Sequence, residues 1–214
     1  MEINCKEIRE NARLCLKGNW KVAILSTLVY SIVSIIGDFM PESSTNWFSI
    51  LTTISDAFFT FGYTAIILHI VRSENAELLE IFAECNRFLK GLGITLLVDI
   101  YTILWSLLLI VPGIVAAIKY SMTYYIWVDN PDIGIDEAIS QSIEMTDGHK
   151  WEIFKLGLSF IGWIALTLVP ALVVRFWYPQ YFVVIMSLGM IFVTPYIDVS
   201  MGTVYTKLVQ NRQS

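Results

Sequence analysis

Long apolar runs alternate with short charged stretches along this chain, and the runs are close to the length a bilayer demands. A hydrocarbon core of about 30 Å needs roughly 20 apolar residues in helical conformation. Runs of that kind occupy about 20–40, 47–71, 92–111, 112–128, 151–174 and 181–207. The pattern predicts an all-α fold, a polytopic transmembrane helix bundle of six spans in one membrane domain, 1–214. The third and fourth runs are contiguous, and together they would form a helix of about 55 Å, too long for one crossing. Val111-Pro112-Gly113-Ile114 stands at the join, with Pro and Gly where a type II turn wants them. A tight helical hairpin is expected there, with a kinked single helix or a re-entrant segment as the competing reading.

Three segments outside the runs have the period of amphipathic helices. In 1–19, Cys5, Ile8, Ala12, Cys15 and Leu16 share one face, beside a basic stripe of Arg9, Arg13 and Lys17. Such a helix suits an anionic headgroup layer, or serves as a solvated leader that enforces topology. In 76–90 the apolar side carries Leu78, Leu79, Phe82 and Leu89. In 135–147, Ile135, Ile139 and Ile143 fall in register while Asp136, Glu137, Glu144 and Asp147 point elsewhere. Gly134 is the expected N-cap and Gly148 the expected residue after the C-cap. No internal repeat and no linker is legible.

Charge gives the chain a direction. Of 14 Lys and Arg, twelve fall in segments that six spans place on one side; Arg175 alone falls on the other, and Lys119 lies within a run. That bias puts both termini in the cytoplasm. Trp20, Trp47, Trp127, Trp151 and Trp177 fall at or near run ends, as interfacial tryptophans do. Composition agrees: 56% of residues are hydrophobic and only 15% charged, too few to coat a water-soluble globule. A net charge of −5 without clustered basic residues leaves no footprint for nucleic acid. Cys5, Cys15 and Cys85 match no metal-ligand spacing and are expected as free thiols. The first twenty residues lack the apolar core of a cleavable signal peptide.

Ionisable residues inside the runs are candidates for binding by default. They are Asp56, His69, Asp99, Lys119 and Asp198, with Asp38 near an outer end. Asp56 and Lys119 are matched in depth and opposite in charge, which makes them either a coupling site or a structural pair. Asp99 and Asp198 approach a common level in the inner half, with His69 nearby, and would suit a proton- or cation-linked site unless water reaches them. Pro195 is expected to kink the last span beside Asp198. Gly113, Ala117 and Ser121 form a small-residue stripe, which permits close helix packing. Gly148-His149-Lys150 lacks the remainder of a phosphate-binding loop, so no nucleotide site is expected. Neither a catalytic arrangement nor a cofactor signature appears, and an enzyme is not expected.

Several motifs recur in an order that identifies a relative. Pro112-Gly113-Ile114, Tyr120-Ser121-Met122, Asp129-Asn130-Pro131, Glu137-Ala138 and Ser142 are followed by Gly148-His149-Lys150-Trp151 and Phe154. Leu158 to Trp163, then Thr194-Pro195-Tyr196, complete the series, and Ala12-Arg13, Leu16 and Gly18-Asn19-Trp20 open it. This resembles the bacterial membrane-protein family known as domain of unknown function 975. Gly134 departs from the serine common at that position, where it would make a capping box with Glu137; the change costs only a few tenths of a kcal/mol. The resemblance implies a multi-pass protein of the bacterial plasma membrane and implies no activity. Two functional expectations follow from the residues. One is a non-enzymatic envelope component or accessory subunit that docks a membrane or cytoplasmic protein partner, or lipid. The other is a small transporter or permease subunit using its in-span charges.

Overall fold

A computed structural model describes residues 4–37, 45–82 and 85–213 of the chain. The elements among the described residues are all helices, the α-helices being α1 (Cys5–Leu16), α2 (Trp20–Gly37), α3 (Thr45–Val71), α4 (Phe88–Leu108), α5 (Ile110–Tyr120), α6 (Thr123–Asp129), α7 (Ile135–Thr146), α8 (Lys150–Leu158), α9 (Ile161–Trp177) and α10 (Phe182–Gln213). Among them, Phe88–Leu108, Lys150–Trp177 and Phe182–Arg212 are long and apolar enough to cross a membrane, and Trp20–Ile32 and Ala57–Val71 are shorter apolar helices. Leu107, Leu109 and Ile110 at the α4–α5 tip are exposed, as are Leu166, Val173 and Phe176 of α9. A continuous apolar surface of that kind would drive association in water, whereas in lipid it matches its solvent. The chain is a multi-pass membrane protein.

Burial concentrates elsewhere, in a core built from α1, the C-terminal halves of α3 and α10, α6 and α7. Here α1 corrects both readings of the first amphipathic segment. Its apolar face is neither on headgroups nor in solvent, because Ile8, Ala12 and Leu16 are fully buried within the chain itself. The face fits against α10, with a Glu7–Lys207 ion pair alongside, and Arg13 Nε donates to the Tyr196 hydroxyl at 3.0 Å. The Cys15 thiol reaches the Val71 carbonyl at the end of α3, and burial pushes its pKa up. In α7, Ala138, Ile139 and Ser142 are buried, with Ile135 and Ile143 against the same core.

The expected hairpin exists, but its turn lies earlier than the Pro-Gly pair. Leu109 alone is extended (φ −165°, ψ 153°), and α5 starts at Ile110. Pro112 therefore occupies the first turn of a helix, where its missing N–H leaves no bond unmade. Gly113 serves close packing: a Cβ there would collide with Ser106 on α4. Tyr101 of α4 meets Tyr120 of α5 with ring centroids 6.0 Å apart, so the two legs run antiparallel. The returning leg is not the single helix expected over 112–128, because it breaks at Ser121-Met122 between α5 and α6.

The segment 76–90 also departs from expectation. It forms two 3-10 turns, Leu78–Phe82 and Cys85–Arg87, before α4 begins at Phe88. Leu79 and Leu89 of the expected apolar face are exposed, and Ile81 is the residue that is buried. The reason is Gly62 on α3: with no side chain there, the Ile81 backbone lies directly on the helix. Close backbone contact rather than side-chain periodicity sets the local conformation.

Sequence periodicity also missed a repeated structural unit. α1 and α7 are each 12 residues long, and each is followed by a left-handed glycine, Gly18 at φ +102° and Gly148 at φ +79°. The bonds that close the two turns correspond at a shift of 130 residues. Asn19 N–H donates to Leu16 O at 2.9 Å and His149 N–H to Thr146 O at 3.1 Å, and Ala23 and Ile153 repeat the bond to Asn19 and His149. Each unit thus turns an amphipathic helix into a long apolar one. The side chains on the two differ, so their identity lies in backbone geometry.

Candidate functional site

The break between α5 and α6 is held by one side chain. Ser142 Oγ on α7 donates to the Lys119 carbonyl at 2.7 Å and accepts from the Met122 backbone N–H at 3.2 Å. Both backbone groups lose their helical partners where the helix interrupts, and one buried hydroxyl satisfies both. Non-helical backbone at membrane depth is tolerated only when buried in protein or when it lines a cavity. Ser121 at this break lines a cavity of about 320 Å³ between α2, α3, α6 and α10.

Hydroxyl-bearing side chains and one carboxylate gather in the wall of that cavity. Tyr30, Tyr63, Tyr124 and Tyr125 line it, with Asp198 the one carboxylate among the lining residues. Tyr63 donates its hydroxyl proton to Asp198 Oδ2 at 2.9 Å, and Thr27 Oγ1 lies 3.1 Å from that hydroxyl. Tyr125 donates to the Asp198 backbone carbonyl at 3.2 Å. Pro195, one turn earlier within α10, removes a backbone donor from the helix beside the cavity. Tyr30 and Tyr63 stack at 5.6 Å between centroids. The second stack, Tyr125 on Tyr205 at 5.4 Å, leads from the cavity wall to Asp129.

Asp129 is the centre of an ionic knot. Arg72 Nη2 and Tyr205 Oη both reach Asp129 Oδ2, at 2.5 Å and 2.8 Å, joining the ends of α3 and α6 to α10. Asp129 beside it raises the Arg72 pKa, chiefly by hydrogen bonding, against the opposing effect of burial. Arg87 covers the Trp127 ring at 3.9 Å, a cation–π contact on the same side. At the end of α7, Lys150 holds the Asp147 carboxyl below its ordinary range, and the charge of Lys119 adds to this.

Of the candidate residues whose side chains are described, only Asp198 lines this cavity. Asp99 lies on α4 with an exposed side chain. His69 turns away to Glu80 at 2.8 Å, with Glu74 at 3.6 Å. Lys119 sits half-buried in the last turn of α5. The Asp56 side chain and Asp38 lie outside the described residues, so the Asp56–Lys119 pair does too. Among the described residues no Lys, Arg or His forms an ion pair with Asp198. No group of three or more described His, Cys, Asp or Glu is placed to hold a metal ion.

Comparison with known families decides the kinship. A family model described as "Protein of unknown function (DUF975)" matches residues 1–119 and 107–212. The chain belongs to that family. No curated protein and no solved structure matches it. For this DUF975 member the tyrosines and Ser142 are the site residues that sequence reasoning passed over. Tyr120-Ser121-Met122 and Ser142 stood among the motifs that carried the resemblance, yet nothing in their spacing connected them. The signal available was the pair itself, a serine on an apolar helix face and a serine within a span.

Proposed function

We propose that this protein is a small, non-enzymatic membrane transporter or permease subunit, with Asp198 as the group that binds a cation in the intramembrane cavity. The observation that carries the reading is the placement of one carboxylate, without an ion-pair partner among the described residues, among the hydroxyls of a cavity beside a broken helix. Desolvating a carboxylate is costly unless a cation or a proton compensates it, so such residues mark ion and substrate pathways. The proposal places the protein in a bacterial plasma membrane with six spans, α5 and α6 together forming the fourth. Both termini are then cytoplasmic, as the positive residues favour.

Docking of a protein partner or lipid through the amphipathic helices finds less support. The apolar faces of α1 and α7 are already covered by their own chain. Flux through proteoliposomes tests the proposal. Under a potential set by potassium and valinomycin, protein-containing vesicles should take up protons or monovalent cations, organic ammonium ions among them, faster than empty ones. Asp198→Asn should slow that uptake about tenfold or more, because the amide keeps the Tyr63 hydrogen bond and loses only the charge. Equal rates for the native protein, the variant and empty vesicles would end the transport reading.

A further inference from the structure

The walls of the cavity say which cations suit it, taking Asp198 as a cation site. Four of its hydroxyls have already given up their protons: Thr64 to Thr60 O at 2.7 Å, Ser121 to Ile118 O at 2.8 Å, Tyr63 to Asp198 and Tyr125 to the Asp198 carbonyl. These oxygens offer a ligand lone pairs and no donor, which favours a ligand rich in N–H groups. A bare metal cation needs a close cage of about six oxygens, and a volume of about 320 Å³ is nearer the lower end for small organic ligands. Tyrosine-rich walls add cation–π attraction, which favours organic ammonium groups in particular.

A second cavity lies beside the first. It has a volume of about 360 Å³ and lies between α5, α8 and α10, with Ile114, Ile118, Ile153 and Phe154 in its wall. Ser121 and Met201 line both cavities, so the two share a boundary. The first is the more polar and carries the carboxylate, and the second is almost wholly apolar. We infer that the site binds an amphiphilic amine in its protonated form, its ammonium head at Asp198 and its alkyl tail in the apolar cavity. Gly157 lines the tail cavity, and a Cβ there would meet nothing within 4 Å. Gly157→Val therefore adds side-chain volume to the tail space, with its Cβ clear of every neighbour.

Binding is read as the rise in thermal unfolding midpoint of the full chain in nanodiscs, titrated with propylammonium, hexylammonium, neutral hexanol and sodium chloride. Each buried CH₂ strengthens binding about three- to fourfold, so hexylammonium should bind at least about tenfold more tightly than propylammonium. Hexanol should leave the midpoint unchanged. Asp198→Asn should remove the response to both amines. Gly157→Val should keep the propylammonium response and lower hexylammonium to the same affinity, and this comparison decides alone if Asp198→Asn does not fold. A hexanol response equal to hexylammonium, or an undiminished chain-length ratio in Gly157→Val, would overturn the inference. Stabilisation by sodium alone, lost in Asp198→Asn, would also overturn it while leaving the cation-site reading intact; loss of that reading shows separately in the flux assay.

Discussion

Gly62→Ala is expected to destabilise the protein by about 3 kcal/mol and to remove most folded material from detergent extracts. A Cβ at position 62 would fall on the carbonyl of Ile81, and backbone cannot swing aside as a side-chain end can. Overpacking typically costs 1–3 kcal/mol, and the rigidity of this contact puts it at the upper end. Either α3 or the 3-10 turn Leu78–Phe82 has to move, and Ile81 would leave its buried position. Gly157→Ala supplies the control, since its added methyl would meet nothing within 4 Å. Tryptophan fluorescence during thermal unfolding reads both, and near-native stability in Gly62→Ala would mean that the turn does not rest on α3 as described.

Ser142→Ala should cost about 2–4 kcal/mol, since it strands the buried Met122 N–H at about 1–3 kcal/mol and the part-buried Lys119 carbonyl at the low end of that range. The Lys119 carbonyl and the Met122 N–H both lose their partner, and α7 loses its polar tie to the break. Thr146→Ala is the comparison, because the Thr146 hydroxyl bonds only to carbonyls of its own helix, at Ser142 and Ile143. That change should cost well under half as much. Equal losses in the two variants would show that the Ser142 bridge contributes nothing beyond burial of a small side chain.

The helical class was legible because lipid-facing runs announce themselves through sheer length and lack of charge. What escaped was anything decided by backbone approach. Pro112-Gly113 has turn composition, yet Gly113 is there to let α5 meet Ser106, and the turn falls at Leu109. Leu78, Leu79, Phe82 and Leu89 have helical spacing, yet the bare backbone at Gly62 pulls Ile81 inward instead. Asp198 was visible as a charge in an apolar run. Its partners were not, because Tyr63 is 135 residues away and a tyrosine in a membrane helix reads as one more interfacial aromatic. Pairing charges by depth likewise directed His69 toward the carboxylates of the spans, whereas Glu80, only 11 residues on, claims it.

A cation-preferring cavity at Ser121 and Asp198 is the centre of this account, and thiol chemistry reports on it directly. In a background with Cys5, Cys15 and Cys85 replaced by serine, Ser121→Cys places one reactive group in the cavity wall. A cationic aminoethyl methanethiosulfonate should modify it about tenfold or more faster than the anionic sulfonatoethyl reagent, because a carboxylate in low-dielectric walls concentrates positive ions. Adding Asp198→Asn should erase that preference while leaving the cysteine reactive. Equal rates for the two reagents with Asp198 in place, or no modification by either, would contradict the account.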